Sequence, residues 1–234
     1  MARKLQSIVD EQVARWHAQR TKQQGQGSQT YVPPNVITLS DALGSDGLDV
    51  AHRVGEILDV PVYGRAIVEH IATTERLRVK TVESLDQRAV SRLEDYLVSL
   101  IRERNFDQSD YVRALTRTIT ALWGHGSCVL IGRGGSNIVS HRYALAVRVT
   151  APRDHRIRRT AQLEQLDLAS AQRFLSRIDA ERHAFIQRHF GLDIDDATQY
   201  DLVLNTAGMS VDRAAEIIAM AFAAKFATAA SKAA

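Results

Sequence analysis

The sequence has a single cysteine and lacks any long apolar run. Cys128 alone cannot form a disulfide within the chain. No run approaches the roughly 18 apolar residues that span a bilayer, and the basic N-terminus lacks the apolar block of a secretory signal. We therefore expect no membrane segment and a cytoplasmic location.

The sequence has no net positive charge outside its first 30 residues. Residues 1–30 contain five Lys or Arg and two Asp or Glu, which accounts for the formal net charge of +3. From residue 31 onward, 25 basic residues balance 25 acidic ones. No basic patch interleaved with aromatic residues occurs, so we do not expect nucleic acid as a partner.

Several catalytic motifs are also missing. The eight histidines show no H-x-x-x-H or Cys/His zinc spacing, and there is no G-x-S-x-G nucleophile motif. Cys128 lies within an apolar run, which is typical of a packed residue rather than a nucleophile. We name no metal-ligating residue.

The first 35 residues differ in pattern from the rest. Apolar residues recur at helical spacing within residues 1–20, which predicts an amphipathic N-terminal helix with an apolar face of Leu5, Ile8, Val9, Val13 and Trp16. Residues 21–35 are rich in Gln, Gly and Ser and end near Pro33-Pro34, as in a linker. The apolar face packs either on its own domain or on a second subunit, which would give a homodimer.

Residues 36–228 show short apolar runs that alternate with helical stretches. The strand candidates are residues 36–39, 60–63, 128–131, 145–149 and 202–204. They are apolar without strict alternation, as in strands that helices cover on both faces. This predicts a doubly wound α/β fold with a parallel sheet of about five strands.

A helical insertion is predicted over about residues 64–125. It contains two apolar stripes at helical spacing, and Gly124-His125-Gly126 ends the second. The first stripe is Leu93, Leu97, Leu100 and Ile101, and the second is Val112, Leu115, Ile119 and Leu122. We expect both stripes to lie in the core.

A glycine-rich turn, Gly44-Ser45-Asp46-Gly47, joins the first strand to the first helix. Backbone N–H groups and the helix dipole at such a turn favour an anion, so these four residues are candidates for binding a nucleotide phosphate. The full G-x-x-x-x-G-K-[ST] pattern is absent, because Gly47 and Leu48 stand at its last two positions. A turn without a ligand is the alternative interpretation.

Seven segments of the sequence occur together in an order that is typical of one known family. They are residues 11–16, 37–51, 58–63, 131–135, 151–159, 178–182 and 200–206. With the first strand and its loop, a Gly-Arg-Gly turn after the third strand and a lid over about residues 165–195, they resemble the bacterial cytidylate-kinase-like family. The resemblance implies a P-loop nucleoside-monophosphate-kinase fold that uses ATP and Mg²⁺ and acts on a small phosphorylated acceptor, with cytidylate as the reference.

Arginines at the matching positions suit this chemistry, because a planar guanidinium pairs with phosphate oxygens. Arg133, between two glycines, is the candidate for holding the acceptor phosphate. The lid offers Arg177, Arg182 and Arg188 as catalytic candidates, with Asp179 to orient one of them. Arg156 and Arg159, at the junction before the lid, are candidates for binding the nucleotide. Each arginine could instead belong to a solvated helix face.

The loop departs from the family pattern Ser-Arg-x-x-Gly-Ser-Gly-Gly-Arg. Asp41 and Leu48 stand at the two arginine positions, and Asp46 replaces a glycine. Asp46 and Asp49 have the position of helix caps. Two hypotheses follow: ATP-dependent transfer of a phosphoryl group to a nucleoside monophosphate, or a catalytically impaired nucleotide-binding or regulatory protein of the same fold.

Overall fold

A computed structural model describes residues 7–14, 16, 33–85, 89–91, 95–96, 109–132 and 134–231. Its centre is a sheet of five strands in the order β2-β3-β1-β4-β5, and every pairing is parallel. The strands are β1 Val36–Asp41, β2 Val62–Tyr63, β3 Val129–Ile131, β4 Ala144–Thr150 and β5 Leu202–Asn205. All five predicted strands and the doubly wound parallel class are confirmed.

The apolar runs are continuous because both faces of the sheet are buried. Val36 and Leu130 pack into one core cluster, whereas Ile37, Leu39 and Val129 pack into the other. Successive side chains of a strand point to opposite faces. Strands β1 to β4 therefore supply apolar residues to both layers, whereas the edge strand β5 supplies Leu202 and Leu204 to one layer and leaves Val203 44% exposed.

In the described part of the chain, eight helices follow β1 and surround the sheet, in addition to the N-terminal helix. One face is covered by α1 and α8, which pack on each other, and the other by helices of the insertion. The helices are α1 Gly47–Leu58, α2 Arg65–Thr73, α3 Glu75–Glu83, α4 Asp110–Gly124, α5 Gly135–Ile138, α6 Arg153–Glu164, α7 Leu168–Phe190 and α8 Val211–Ser231. A 3₁₀ turn, Ala197–Gln199, precedes β5.

The second stripe of the insertion lies in the core as predicted. Val112, Leu115, Ile119 and Leu122 of α4 are buried, and the helix ends at Gly124. The first stripe, Leu93 with Leu97, Leu100 and Ile101, lies outside the described residues.

The N-terminal helix packs on its own chain. Residues 7–14 and 16 are helical, and Val9, Val13 and Trp16 are buried in the cluster that also contains α4. The Trp16 ring stacks on His125 at a centroid distance of 3.8 Å. Ile8, predicted on the same face, is 42% exposed. The structure therefore supports packing on its own domain; Leu5 and most of the linker lie outside the described residues.

None of the helices in the described part of the chain combines the length and the apolar character that a membrane span requires.

Candidate functional site

The glycine-rich turn between β1 and α1 packs tightly on α6. Gly44 has a φ of +76°, and a β-carbon there would lie 2.8 Å from Thr160 Oγ1 and even closer to the Arg156 carbonyl oxygen. The buried Ser45 hydroxyl donates to the carbonyl oxygens of Ala42, at 2.7 Å, and of Val149, at 3.2 Å. The turn is thus fixed between the end of β4 and α6.

Asp46 stands immediately before α1, with a left-handed backbone, and makes no side-chain cap hydrogen bond. Its Oδ1 instead accepts a hydrogen bond of 2.6 Å from Arg159 Nε. Asp46 thus has the predicted N-cap position, but its side chain does not cap the helix, because the charge-assisted bond to the guanidinium takes the carboxylate away from the N–H groups. Asp49 lies exposed in the first turn.

Gly47, the first residue of α1, lies against Asp41. A β-carbon at Gly47 would overlap the Asp41 β-carbon. The Asp41 side chain therefore stands beside the helix start, where a kinase loop would hold phosphate.

Arg182 of α7 reaches that aspartate. Its Nη1 donates to the Asp41 backbone carbonyl, and its Nη2 lies 3.5 Å from Asp41 Oδ2. Both side chains are about four-fifths buried. This pair joins the middle of α7 to the end of β1.

Asp179, also on α7, pairs with α6 rather than with its own helix. Arg156 Nη1 lies 3.0 Å from both of its carboxylate oxygens and donates a longer hydrogen bond, 3.4 Å, to the Leu43 carbonyl. The expectation that Asp179 orients an arginine of the lid is therefore wrong.

Two of the predicted catalytic arginines stand apart from this group. Arg177 pairs with Glu181 one helical turn away, at 2.7 Å, and both side chains are 57% exposed. Such exposed pairs contribute about 0.3–0.5 kcal/mol, as on an ordinary solvated face. Arg188 is also exposed. Arg133 lies outside the described residues, although both adjacent glycines are described.

A cavity of about 630 Å³ opens at the carboxyl edge of β1 and β3. Its volume lies within the usual range for small-molecule sites. One wall is a stripe of α7 at helical spacing, and the opposite wall is the start of α2. The α7 stripe is Ile178, Glu181, Arg182, Phe185 and Ile186. Asp41, Leu48, Gly132 and Gly134 also line the cavity.

The sequence interpretation missed Arg65 and Glu69, which line this cavity from α2. The signal was present in the sequence, because Gly64 and Arg65 directly follow the predicted strand 60–63, whose end lies at the same edge of the parallel sheet. Arg65 stands at the helix N-terminus, where the dipole also favours an anion.

A second missed feature is a polar network beside the cavity. Arg148 of β4, nearly buried, donates to Ser40 Oγ at 2.9 Å and to Asp195 Oδ1 at 2.8 Å. His183 Nε2 lies 2.7 Å from Asp195 Oδ2, and His183 Nδ1 lies 2.8 Å from the Asp179 carbonyl oxygen. Both acceptors require an N–H, so this geometry suits a doubly protonated imidazole.

The charges in this network shift two pKa values. Partial burial acts to lower the pKa of His183, but the Asp179 carbonyl and the Asp195 carboxylate outweigh it, so the pKa is raised. Burial acts to raise the pKa of Asp195, but the hydrogen bond from His183 and the charge of Arg148 outweigh it, so the pKa is lowered. His183 and Asp195, with Asp193, offer ligand atoms within 4.8 Å of one another. Because Asp195 already binds two cations, the geometry favours ion pairs over a metal.

The residues of the loop do not fit the phosphates of ATP or a magnesium ion in the manner of a P-loop kinase. Asp41 and Leu48 stand at the cationic positions, and the Asp41 and Asp46 carboxylates lie beside the start of α1. Leu48, where a magnesium-binding hydroxyl would stand, is 51% exposed. No phosphoryl-transfer step follows from this arrangement.

Comparisons with known proteins agree with the fold and the order of the segments. Residues 36–208, well over half of the chain, match the sequence model of the Cytidylate kinase-like family. A cytidylate kinase of Staphylothermus marinus is 29% identical over 185 residues, which cover 78% of this chain and 93% of that protein. The crystal structure of an uncharacterized protein from Eubacterium ventriosum superposes with a TM-score of 0.64 at 18% identity, over 81% of this chain and 98% of the other, which shows a shared fold. The chain belongs to the cytidylate kinase-like family.

Proposed function

We propose that the protein binds a nucleoside monophosphate, or a similar small phosphorylated molecule, in the cavity at the carboxyl edge of β1 and β3. The observation that carries this proposal is the cavity of about 630 Å³, which is lined by the end of β1, the start of α2 and one face of α7. Ligands of open α/β folds bind at this edge of the sheet. Arg65 and Arg182 line the walls and suit a phosphate group.

The first candidate activity is ATP-dependent transfer of a phosphoryl group to the bound monophosphate, with cytidylate as the reference acceptor. Membership of the family suggests nucleotide kinase activity. Arg133 would hold the acceptor phosphate, and the arginines of α6 and α7 stand close to the turn. The family implies ATP and Mg²⁺ as co-substrates.

The second candidate is a catalytically impaired nucleotide-binding or regulatory protein. A specific observation favours it: Asp41 and Asp46 bring negative charge to the loop and engage Arg182 and Arg159. Binding of a monophosphate in the cavity does not require this loop to hold the phosphates of ATP as well.

Two titrations of the purified protein would separate the candidates. One uses a panel of nucleoside monophosphates, and the other uses ATP with Mg²⁺, both by calorimetry. ATP binding with ADP release that depends on one monophosphate supports the kinase, and monophosphate binding without ATP binding supports the second candidate. Binding of neither would refute both.

The site within the cavity is tested by Arg133→Ala. We expect loss of monophosphate binding with no change in the far-ultraviolet circular dichroism spectrum. Arg117→Ala is the matched control, because Arg117 lies exposed on α4, away from the cavity. Equal affinities for the two variants would contradict the assignment of Arg133.

A further inference from the structure

Each of three carboxylates around the glycine-rich turn forms an ion pair with an arginine of α6 or of α7. The pairs are Asp46 Oδ1 with Arg159 Nε at 2.6 Å, Asp179 Oδ2 with Arg156 Nη1 at 3.0 Å, and Asp41 Oδ2 with Arg182 Nη2 at 3.5 Å. All six side chains are at least two-thirds buried. The formal charges of this group cancel, so an incoming polyphosphate meets no positive surplus there.

One of these carboxylates, Asp46, belongs to the glycine-rich turn, and another, Asp41, ends β1 just before it. The Asp41 β-carbon lies against Gly47 at the start of α1, and Asp46 is the residue just before that helix. The N–H groups of a first helical turn form an anion-binding position. Here the Asp41 and Asp46 carboxylates border that position. They also pair with Arg182 and Arg159, whose guanidinium groups would otherwise suit a phosphate.

The charge effect is large enough to decide which ligands enter. Two like unit charges about 4 Å apart, at an effective dielectric constant of about 20, change an affinity about a thousandfold. The paired arginines reduce this repulsion. A triphosphate would have to break those pairs before it could bind the guanidinium groups itself. A monophosphate carries less negative charge than a triphosphate, and the cavity lining offers it Arg65 and Arg182 as well as Asp41.

We propose that Asp41 and Asp46 are resident counter-anions that exclude nucleoside triphosphates from the turn, while their pairs with Arg182 and Arg159 hold α7 and α6 against it. The α7 wall of the cavity is thereby held in place without bound ATP. This inference rests on the proposed function only for the monophosphate that occupies the cavity. The exclusion of triphosphates depends on the aspartates alone.

The test is a gain of triphosphate binding in the double variant Asp41→Asn with Asp46→Gly. Glycine suits the left-handed backbone of Asp46, whose φ is 54°. We expect the wild-type protein to bind ATP and inorganic tripolyphosphate with Kd above about 1 mM. We expect the double variant to bind both at least about thirtyfold more tightly.

The matched control is Asp49→Asn, which removes the same charge from the first turn of α1, where Asp49 is exposed. We expect it to change the ATP affinity by less than about threefold. Arg159→Gln is a second comparison, because it breaks a pair but keeps the Asp46 carboxylate. This variant should bind ATP no better than the wild type.

The outcomes are separable. Micromolar binding of ATP by the wild type, or a gain in the double variant no larger than in Asp49→Asn, would overturn the inference. If the double variant does not fold, as judged by circular dichroism, Asp46→Gly alone must show a gain of at least about tenfold, or the inference fails. If the wild type does not bind a monophosphate, the proposed function is refuted. A gain of ATP binding in the double variant would still support the inference that Asp41 and Asp46 exclude triphosphates.

Discussion

Gly44→Ala tests whether the glycine-rich turn is fixed by its contact with α6. Gly44 is buried, and its φ of +76° lies in the left-handed region. The added β-carbon would lie 2.8 Å from Thr160 Oγ1 and closer still to the backbone carbonyl of Arg156. Backbone cannot rotate away as a flexible side chain can, so the turn or α6 must shift.

The expected loss of stability has two parts and one offset. A left-handed backbone costs an alanine about 1–2 kcal/mol. Overpacking of a closely packed contact costs about 1–3 kcal/mol. The lower entropy of the unfolded chain returns about 0.4–1 kcal/mol. The net destabilisation is about 1–5 kcal/mol, which for a chain of this size lowers the Tm by about 2–20 °C.

Thermal unfolding followed by circular dichroism measures this change, with Gly208→Ala as the control. Nothing lies within 4 Å of a β-carbon built at Gly208, and its φ is outside the left-handed region. The control should therefore alter stability by no more than about 0.5 kcal/mol. Equal Tm values for the two variants would refute the packing described for the turn.

Three further predictions concern other parts of the chain. Trp16→Ala should lower the free energy of unfolding in urea by about 3–5 kcal/mol, because Trp16 is buried, whereas Ile8→Ala should change it little; similar losses would argue against the packing of the N-terminal helix. The raised pKa of His183 means that its link to Asp195 stabilises fully below pH 6.5, the ordinary His value, and is lost as the pH rises through the folded value. Urea titrations should show this loss in the wild type and not in His183→Gln; parallel pH curves would contradict it. Burial raises the pKa of the Cys128 thiol, so an aromatic disulfide reagent should label it only at the rate of unfolding, and rapid native labelling would show that it is accessible.

The fold could be predicted because its signals are local. Five short apolar runs separated by helical stretches specify a parallel sheet covered on both faces, and the buried residues of β1 and β4 show why those runs do not alternate. The α4 stripe was predictable for the same reason, since four residues at helical spacing define its buried face.

The partners of the site residues were less predictable, because no spacing rule links distant ion pairs. Asp41 and Arg182 are 141 residues apart, and Asp46 and Arg159 are 113 apart. The resemblance to the family predicts arginines as phosphate ligands, and the position of the aspartates near a helix start predicts caps; neither predicts that the two groups pair with each other. One signal was available: residues 148–188 contain nine arginines and five acidic residues, a surplus of cations that matches the extra aspartates of the turn.

This charge balance links stability to ligand choice. Arg156 and Asp179 are 13% and 19% exposed, and removing one member of such a pair leaves a poorly hydrated charge without its partner. The same reasoning applies to Asp41 and Asp46, although their pairs are somewhat more exposed. A change that removes a carboxylate and admits a triphosphate should therefore lower the stability of the free protein, and bound ATP should restore it by mass action. Affinity for ATP and stability without ligand are thus expected to change in opposite directions across variants of the turn.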